Sequence, residues 1–255
     1  MSDLVDAAYN GDLTVVERLL ASGAYVDQVD DHGHTALYWA VRKGHSVVVE
    51  CLLASGADVN QTGEGGDSLL GWAVYKQHLP IVERFLVSGA DVSQADETGT
   101  TPLNWAAYAG YSTIAERLLV FKADVNQVGK NGETPLSLAS HEGHLDTVKL
   151  LLTFKANINQ VDKEGSTPIS LAIFMEHQPI VAHLHKHQFE SGHWICDPAM
   201  FDGLPKTFRS QGCALARCWS ARSDDSGNLF YTMPLEMFHL LLISTWGLYR
   251  AEASE

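Results

Sequence analysis

Along the first 190 residues, apolar side chains come in short bursts rather than long runs. Leu37, Ala40 and Val41 stand at i, i+3 and i+4, and a second burst follows at Val48, Val49, Cys51, Leu52 and Leu53. Each burst lines one side of an α-helix, so the spacing predicts two short amphipathic helices in succession. Ile114, Leu118 and Leu119 give the same second helix further on. Starts and stops are also legible. In Thr101-Pro102-Leu103, Thr134-Pro135-Leu136 and Thr167-Pro168-Ile169, the threonine can cap a helix, and proline fits the first helical position because its missing N–H is not needed there. Gly44, Gly110 and Gly143 predict the end of a first helix, and Gly56 and Gly89 the end of a second. Segments such as Ala57-Asp58-Val59-Asn60 then run into turns rich in Asp and Gly, such as Asp30-Asp31-His32-Gly33. Those turns predict a projecting hairpin finger.

The whole pattern repeats. Gly33, Gly66, Gly99, Gly132 and Gly165 lie 33 residues apart. Ala7, Ala40, Ala73, Ala106, Ala139 and Ala172 hold the same interval, as do Gln28, Gln61, Gln94, Gln127 and Gln160. Several independent columns in phase define six units: 1–32, 33–65, 66–98, 99–131, 132–164 and 165–190. One helix pair cannot bury its own apolar face, so the units must stack into a solenoid. Asp67-Ser68-Leu69-Leu70-Gly71 has neither the threonine nor the proline of the other helix starts, which makes the third unit the expected weak point.

The stretch GTTPLNWAAYAGYSTIAERLLVFKADVNQ, residues 99–127, resembles the ankyrin-repeat family, and the likeness spans residues 1–190. The resemblance implies an all-α solenoid of helix-turn-helix units with β-hairpin fingers, which binds proteins on the concave face formed by first helices and finger tips. The family's histidine after Thr-Pro-Leu is replaced by Tyr38, Gly71, Asn104, Ser137 and Ser170, so the usual side-chain hydrogen bond between neighbouring fingers is not expected.

On each first helix a second face runs beside the apolar one. It reads Trp39/Arg42, Trp72/Tyr75, Trp105/Tyr108, Leu138/His141 and Leu171/Phe174. The resemblance places this ladder on the binding surface. A tryptophan column can equally serve packing between units. The outer column of Tyr9, Tyr75, Tyr108 and Phe174 is the sharper signal, because a solvent-facing site with nothing to bind favours small or charged residues. Finger residues Asp31, Glu64, Asp67, Glu97 and Glu133 surround the ladder. An acidic rim around an aromatic floor suits a protein or peptide carrying basic and apolar residues. Glu83 and Glu116 fall on the second helices and are expected to play no part.

Composition narrows the classes further. With 31 acidic and 17 basic residues the formal charge is −14, which disfavours general nucleic-acid binding. No apolar run is long enough to span a membrane, and the N-terminus lacks signal-peptide features. Four cysteines are too few for a disulfide framework. A monomeric cytoplasmic or nuclear protein is the expectation. No nucleophile with a base, no phosphate loop and no paired carboxylates stand at recognisable spacing, so neither an enzyme nor a cofactor is expected.

Beyond residue 190 the period stops, and an aromatic-rich segment, 191–255, remains as an irregular or helical extension. It is read as a cap on the stack or as a second partner site. Pro234, Glu236, Met237 and Leu241 resemble the opening of an F-box, shortened as in poxvirus-type ankyrin proteins, which implies a substrate adaptor of a cullin-type ubiquitin ligase. The other reading of that helix is burial of Phe238, Leu241 and Leu242. His193, Cys196, Cys213 and Cys218 form a nominal zinc set. The four-residue gap between the last two departs from zinc-knuckle spacing, so buried free thiols and no metal are expected.

Overall fold

The computed structural model describes residues 3–63 and 68–190, with the pairs 222–223 and 229–230. Twelve helices follow in order among the described residues: α1 Asp3–Asn10, α2 Leu13–Ala21, α3 Ala36–Lys43, α4 Ser46–Ala54, α5 Leu69–Tyr75, α6 Leu79–Val87, α7 Pro102–Tyr108, α8 Ser112–Val120, α9 Pro135–His141, α10 Leu145–Thr153, α11 Pro168–Phe174 and α12 Gln178–Glu190. The chain divides into two compact units, Met1–His183 and Leu184–Glu255. In the first, odd-numbered helices pack in one row from α1 to α11 and even-numbered helices in a second row from α2 to α10. In the second unit, Arg222–Ser223 (β1) pairs antiparallel with Leu229–Phe230 (β2).

The core lies between the two rows and between successive units. Ala40, Ala73, Ala106, Ala139 and Ala172 are fully buried, and their small side chains let first helices approach their neighbours. Leu52, Phe85, Leu118 and Leu151 fill the second-row column and are likewise fully buried. Each such large side chain contributes about 1.5–3 kcal/mol by leaving water.

Helix starts follow the expected cap chemistry. Thr35, Thr101, Thr134 and Thr167 each accept the amide N–H of the residue three further on. Ser68 does the same for Gly71 at 2.9 Å, so the third unit keeps its cap without threonine or proline. In the last two of these helices the serines replacing histidine close a reciprocal box: Ser137 and Ser170 accept the Thr134 and Thr167 amides at 2.9 and 2.8 Å.

The left-handed residue after each first helix is Gly11, Gly44, Gly110 and Gly143, but Gln77 and Glu176 in the third and sixth units. Glycine is required at Gly110, where an added Cβ would lie 2.5–2.7 Å from the His144 ring. That ring belongs to the next unit, and its Nε2 sits 2.9 Å from the Tyr108 carbonyl. His45, His78 and His177 lie against Gly11, Gly44 and Gly143 in the same manner. The corresponding residue after Gln77 is Tyr111, so the one break in the histidine column follows a missing glycine. Behind the second helices, Lys122 and Lys155 hold positive φ where Gly23, Gly56 and Gly89 stand in earlier units.

Among the described residues the fingers are short hairpin turns. Val29 with Thr35 and Thr62 with Ser68 form isolated bridges only. Asp30, Asp96 and Asp162 each accept two amide N–H groups of their own turn at 2.8–2.9 Å. Asparagines tie one unit to the next: Asn60 accepts the Asp91 amide at 2.8 Å and Asn126 the Asn157 amide at 2.7 Å. The expected loss of side-chain bonding between fingers is corrected at two places. Thr35 Oγ1 donates to Gln61 Oε1 at 2.5 Å, and Asn104 Nδ2 donates to the Glu133 carbonyl at 3.5 Å.

Candidate functional site

The first-row helices present one chain of stacked rings and cations along the stack. Tyr9 meets Trp39 edge-on at 5.1 Å between centroids, and the Arg42 guanidinium lies 5.9 Å from Trp39 and 5.1 Å from Trp72. Trp72 then meets Tyr75 at 5.5 Å, Tyr75 meets Trp105 edge-on at 5.2 Å, and Trp105 meets Tyr108 at 6.1 Å. Edge-on pairing matches the ring quadrupoles and adds about 0.5–1.5 kcal/mol per pair. The contacts alternate within and between units because i and i+3 are neighbours on one helix, while the 33-residue period brings the next helix alongside.

The two columns differ in burial. Tyr9, Tyr75, Tyr108 and Phe174 are 42%, 47%, 46% and 80% exposed, whereas the three tryptophans are half-buried. Two indoles are tethered to their own fingers: Trp39 Nε1–H donates to Asp30 Oδ2 at 2.9 Å and Trp105 Nε1–H to Asp96 Oδ2 at 3.3 Å. Burial opposes ionisation of Asp30, but the Trp39 indole and the His34 and His32 amides outweigh it and hold the carboxyl below its usual value. The equivalent of these aspartates before Trp72 is Gly63, and the buried Trp72 Nε1 has no hydrogen-bond partner among the described residues. Tryptophan therefore serves packing and surface at once.

Cations inside the floor are the main departure from an aromatic floor with an acidic rim. Lys43 Nζ stands 4.2 Å above Tyr9, and Lys76 Nζ lies 5.2 Å from Trp72 and 5.1 Å from Tyr75. Arg42 also donates to the Tyr38 hydroxyl, and Tyr38 stacks on His34 at 4.1 Å. Lys43, Lys76, His34 and the aspartate tethers were not singled out from sequence. The only signal was positional, since Asp30, Asp96 and Asp162 stand nine residues before Trp39, Trp105 and Leu171.

The remaining site residues separate. Glu97 is exposed on its finger and Glu133 half-buried, while Glu64 and Asp67 lie outside the described residues. His141 is taken up by Glu142, with Nδ1 and Oε1 2.7 Å apart. Glu83 is not idle on the second helices, because Arg117 donates to it at 2.6 and 2.9 Å. Pro234, Glu236, Met237, Leu241 and the set His193, Cys196, Cys213 and Cys218 also lie outside the described residues. Among the described residues no group of metal-ligating side chains converges.

Between the third and fourth units the face opens into a cavity of about 240 Å³, lined by Ser68, Gly71, Trp72, Tyr75, Asp96, Thr100 and Trp105. A family model described as ankyrin repeats matches three overlapping stretches, 4–96, 62–128 and 103–192. The chain belongs to the ankyrin-repeat family. Among solved structures, an ankyrin repeat domain from Acinetobacter baumannii AYE is similar at 31% identity with a TM-score of 0.70. The match covers 72% of this chain and 96% of that one. No curated protein matches the sequence significantly. Ankyrin repeats serve as protein interaction modules, and no catalytic family is indicated. No described helix is long and apolar enough to cross a membrane.

Proposed function

We propose that this ankyrin-repeat chain is a non-enzymatic module that holds a protein or peptide on the aromatic face of its first helices. The observation that carries the reading is the pair Tyr75 and Tyr108. Both are nearly half exposed, both are held against Trp105, and both have few rotatable bonds to immobilise on binding. Large, rigid, amphipathic side chains of this kind act as interface anchors. The formal charge of −14 and the exposed Glu97 favour a partner with basic and apolar residues over a nucleic acid.

Affinity capture with the intact chain, followed by calorimetry on the captured partner, tests the proposal. Tyr75→Ala with Tyr108→Ala weakens binding a hundredfold, since each anchor contributes about 1.4 kcal/mol or slightly more, and leaves the helical circular-dichroism spectrum intact, the lost ring pairs lowering only the melting temperature. Glu97→Lys acts instead on association rate and salt dependence. The control is Glu116→Lys on the second-helix row. Full affinity in the double tyrosine variant would move the partner off this face.

A further inference from the structure

Gly71 lines the cavity between the third and fourth units and leaves it wider there than a side chain would. Where Gly71 stands, the other units carry Tyr38, Asn104, Ser137 and Ser170, and Tyr38, Asn104 and Ser137 are buried. Gly71 has helical backbone geometry and no positive φ, so no strain calls for glycine there. Its absent side chain leaves a space walled by Trp72, Tyr75 and Trp105, with the Asp96 carboxylate among the lining groups. At about 240 Å³ the space falls below the roughly 300–1,000 Å³ of small-molecule sites and suits one side chain of a larger partner.

We infer that this pocket takes the side chain of a lysine from the bound peptide. The rings of Trp72, Tyr75 and Trp105 attract a cation, and among the described residues the one charged side chain lining the pocket is Asp96. The rings already hold such a group on another side, since the exposed Lys76 ammonium rests 5.1–5.2 Å from Trp72 and Tyr75 without lining the pocket. Lysine is selected over arginine by the state of Asp96. Its Oδ1 accepts the Thr98 amide at 2.9 Å, the Thr98 hydroxyl at 2.5 Å and the Thr100 amide at 2.9 Å, while Oδ2 accepts the Trp105 indole at 3.3 Å. A guanidinium needs two free carboxylate oxygens for its fork, whereas an ammonium acts as a compact point charge. The assignment rests on the first-helix face being the binding face, and it adds the side chain that this face selects.

The probes are the N-acetyl methylamides of lysine, arginine and norleucine, titrated into the full chain while the indole N–H resonances of Trp39, Trp72 and Trp105 are followed. The lysine amide is expected to shift Trp72 and Trp105, with an apparent dissociation constant about tenfold below that of the neutral norleucine amide and below that of the arginine amide. Gly71→Asn copies the fourth unit and puts a side chain into the cavity beside the rings, so it is expected to abolish these shifts while the Trp39 resonance reports an intact stack. Should that variant fail to fold, Asp96→Asn decides, and it is expected to remove most of the preference for lysine over norleucine. Equal binding of norleucine, equal or tighter binding of arginine, or an unchanged titration in folded Gly71→Asn overturns the inference. If the amides fail while Tyr75→Ala with Tyr108→Ala still abolishes partner binding, only the lysine assignment falls. If both fail, the binding face falls with it.

Discussion

The stack between Ala36 and Tyr108 and the stack after Thr134 use one frame for different ends. In the first stretch the first helices carry tryptophan, Arg42 and Lys76 lie over the rings, and the residue after Leu37, Leu70 or Leu103 is Tyr38, Gly71 or Asn104. In the second, leucine replaces tryptophan at 138 and 171, and Ser137 and Ser170 close capping boxes. The core columns are unchanged across the boundary: Ala106 and Ala139 are both fully buried, as are Leu118 and Leu151. Contacts between units thus fix the frame, and a few surface columns are free to specialise. The earlier units spend those positions on an aromatic, partly charged surface, and the later ones spend them on helix termini.

Breaking the shared frame should give the largest effect. Ala106→Asp places a carboxylate at a site with no exposure, where an unpaired charge costs several kcal/mol. Because each unit leans on its neighbours, the array is expected to lose helicity cooperatively on both sides of the boundary in a circular-dichroism melt. A wild-type melt would reject the frame.

Acid should weaken the two ends unequally. Burial pushes the His185 imidazole of α12 down to about 4, so the unfolded chain binds more protons than the folded one between there and its ordinary range. Stability conferred by the neutral ring is fully present above about pH 6.5 and falls as pH drops toward 4, amounting to roughly 2 kcal/mol between pH 7 and 5. His78 shifts the same way through burial and the nearby Lys76. Replacing His185 with glutamine should flatten the pH dependence of the melting temperature, and hydrogen exchange should locate the acid-sensitive amides in α12. An unaltered pH profile would remove His185 as the cause.

The smallest effect sharpens the comparison from the backbone. Lys122 and Lys155 sit at φ 71 and 65, where earlier units have Gly56 and Gly89 at φ 88 and 83. Lys122→Gly and Lys155→Gly should each stabilise by up to about 1 kcal/mol, because the left-handed penalty for a side chain exceeds the entropic cost of glycine. Gly56→Ala and Gly89→Ala should cost a similar amount. Denaturant midpoints for the four variants check the sign, and stabilisation by both alanines would overturn the argument.

The period, the helix pairs and their caps could be read from the chain because they are local and repeated. Thr101-Pro102, the alanine column and Gly110 each state one requirement that every unit must meet. The exposed tyrosines were legible for the same reason, since their column stands three residues from the tryptophans on one helix face. What lay beyond the sequence involves partners about one period apart or a missing side chain. Glu83 looked like an idle surface carboxylate until the stacking of α6 on α8 brought Arg117 to it. Arg42 could be placed on its helix, but only the packing of α3 against α5 puts its charge over Trp72. Gly71 looked like one more replacement of the family's histidine, and the pocket that it lines appears only when Asp96 of its own unit's far end and Trp105 of the next unit close the other side. Sequence alone determined the repeating frame, because periodic apolar burial and capping act within a unit. Tertiary structure decided the surface chemistry, because ring–cation contacts, ion pairs and cavities depend on which side chains adjacent units set face to face.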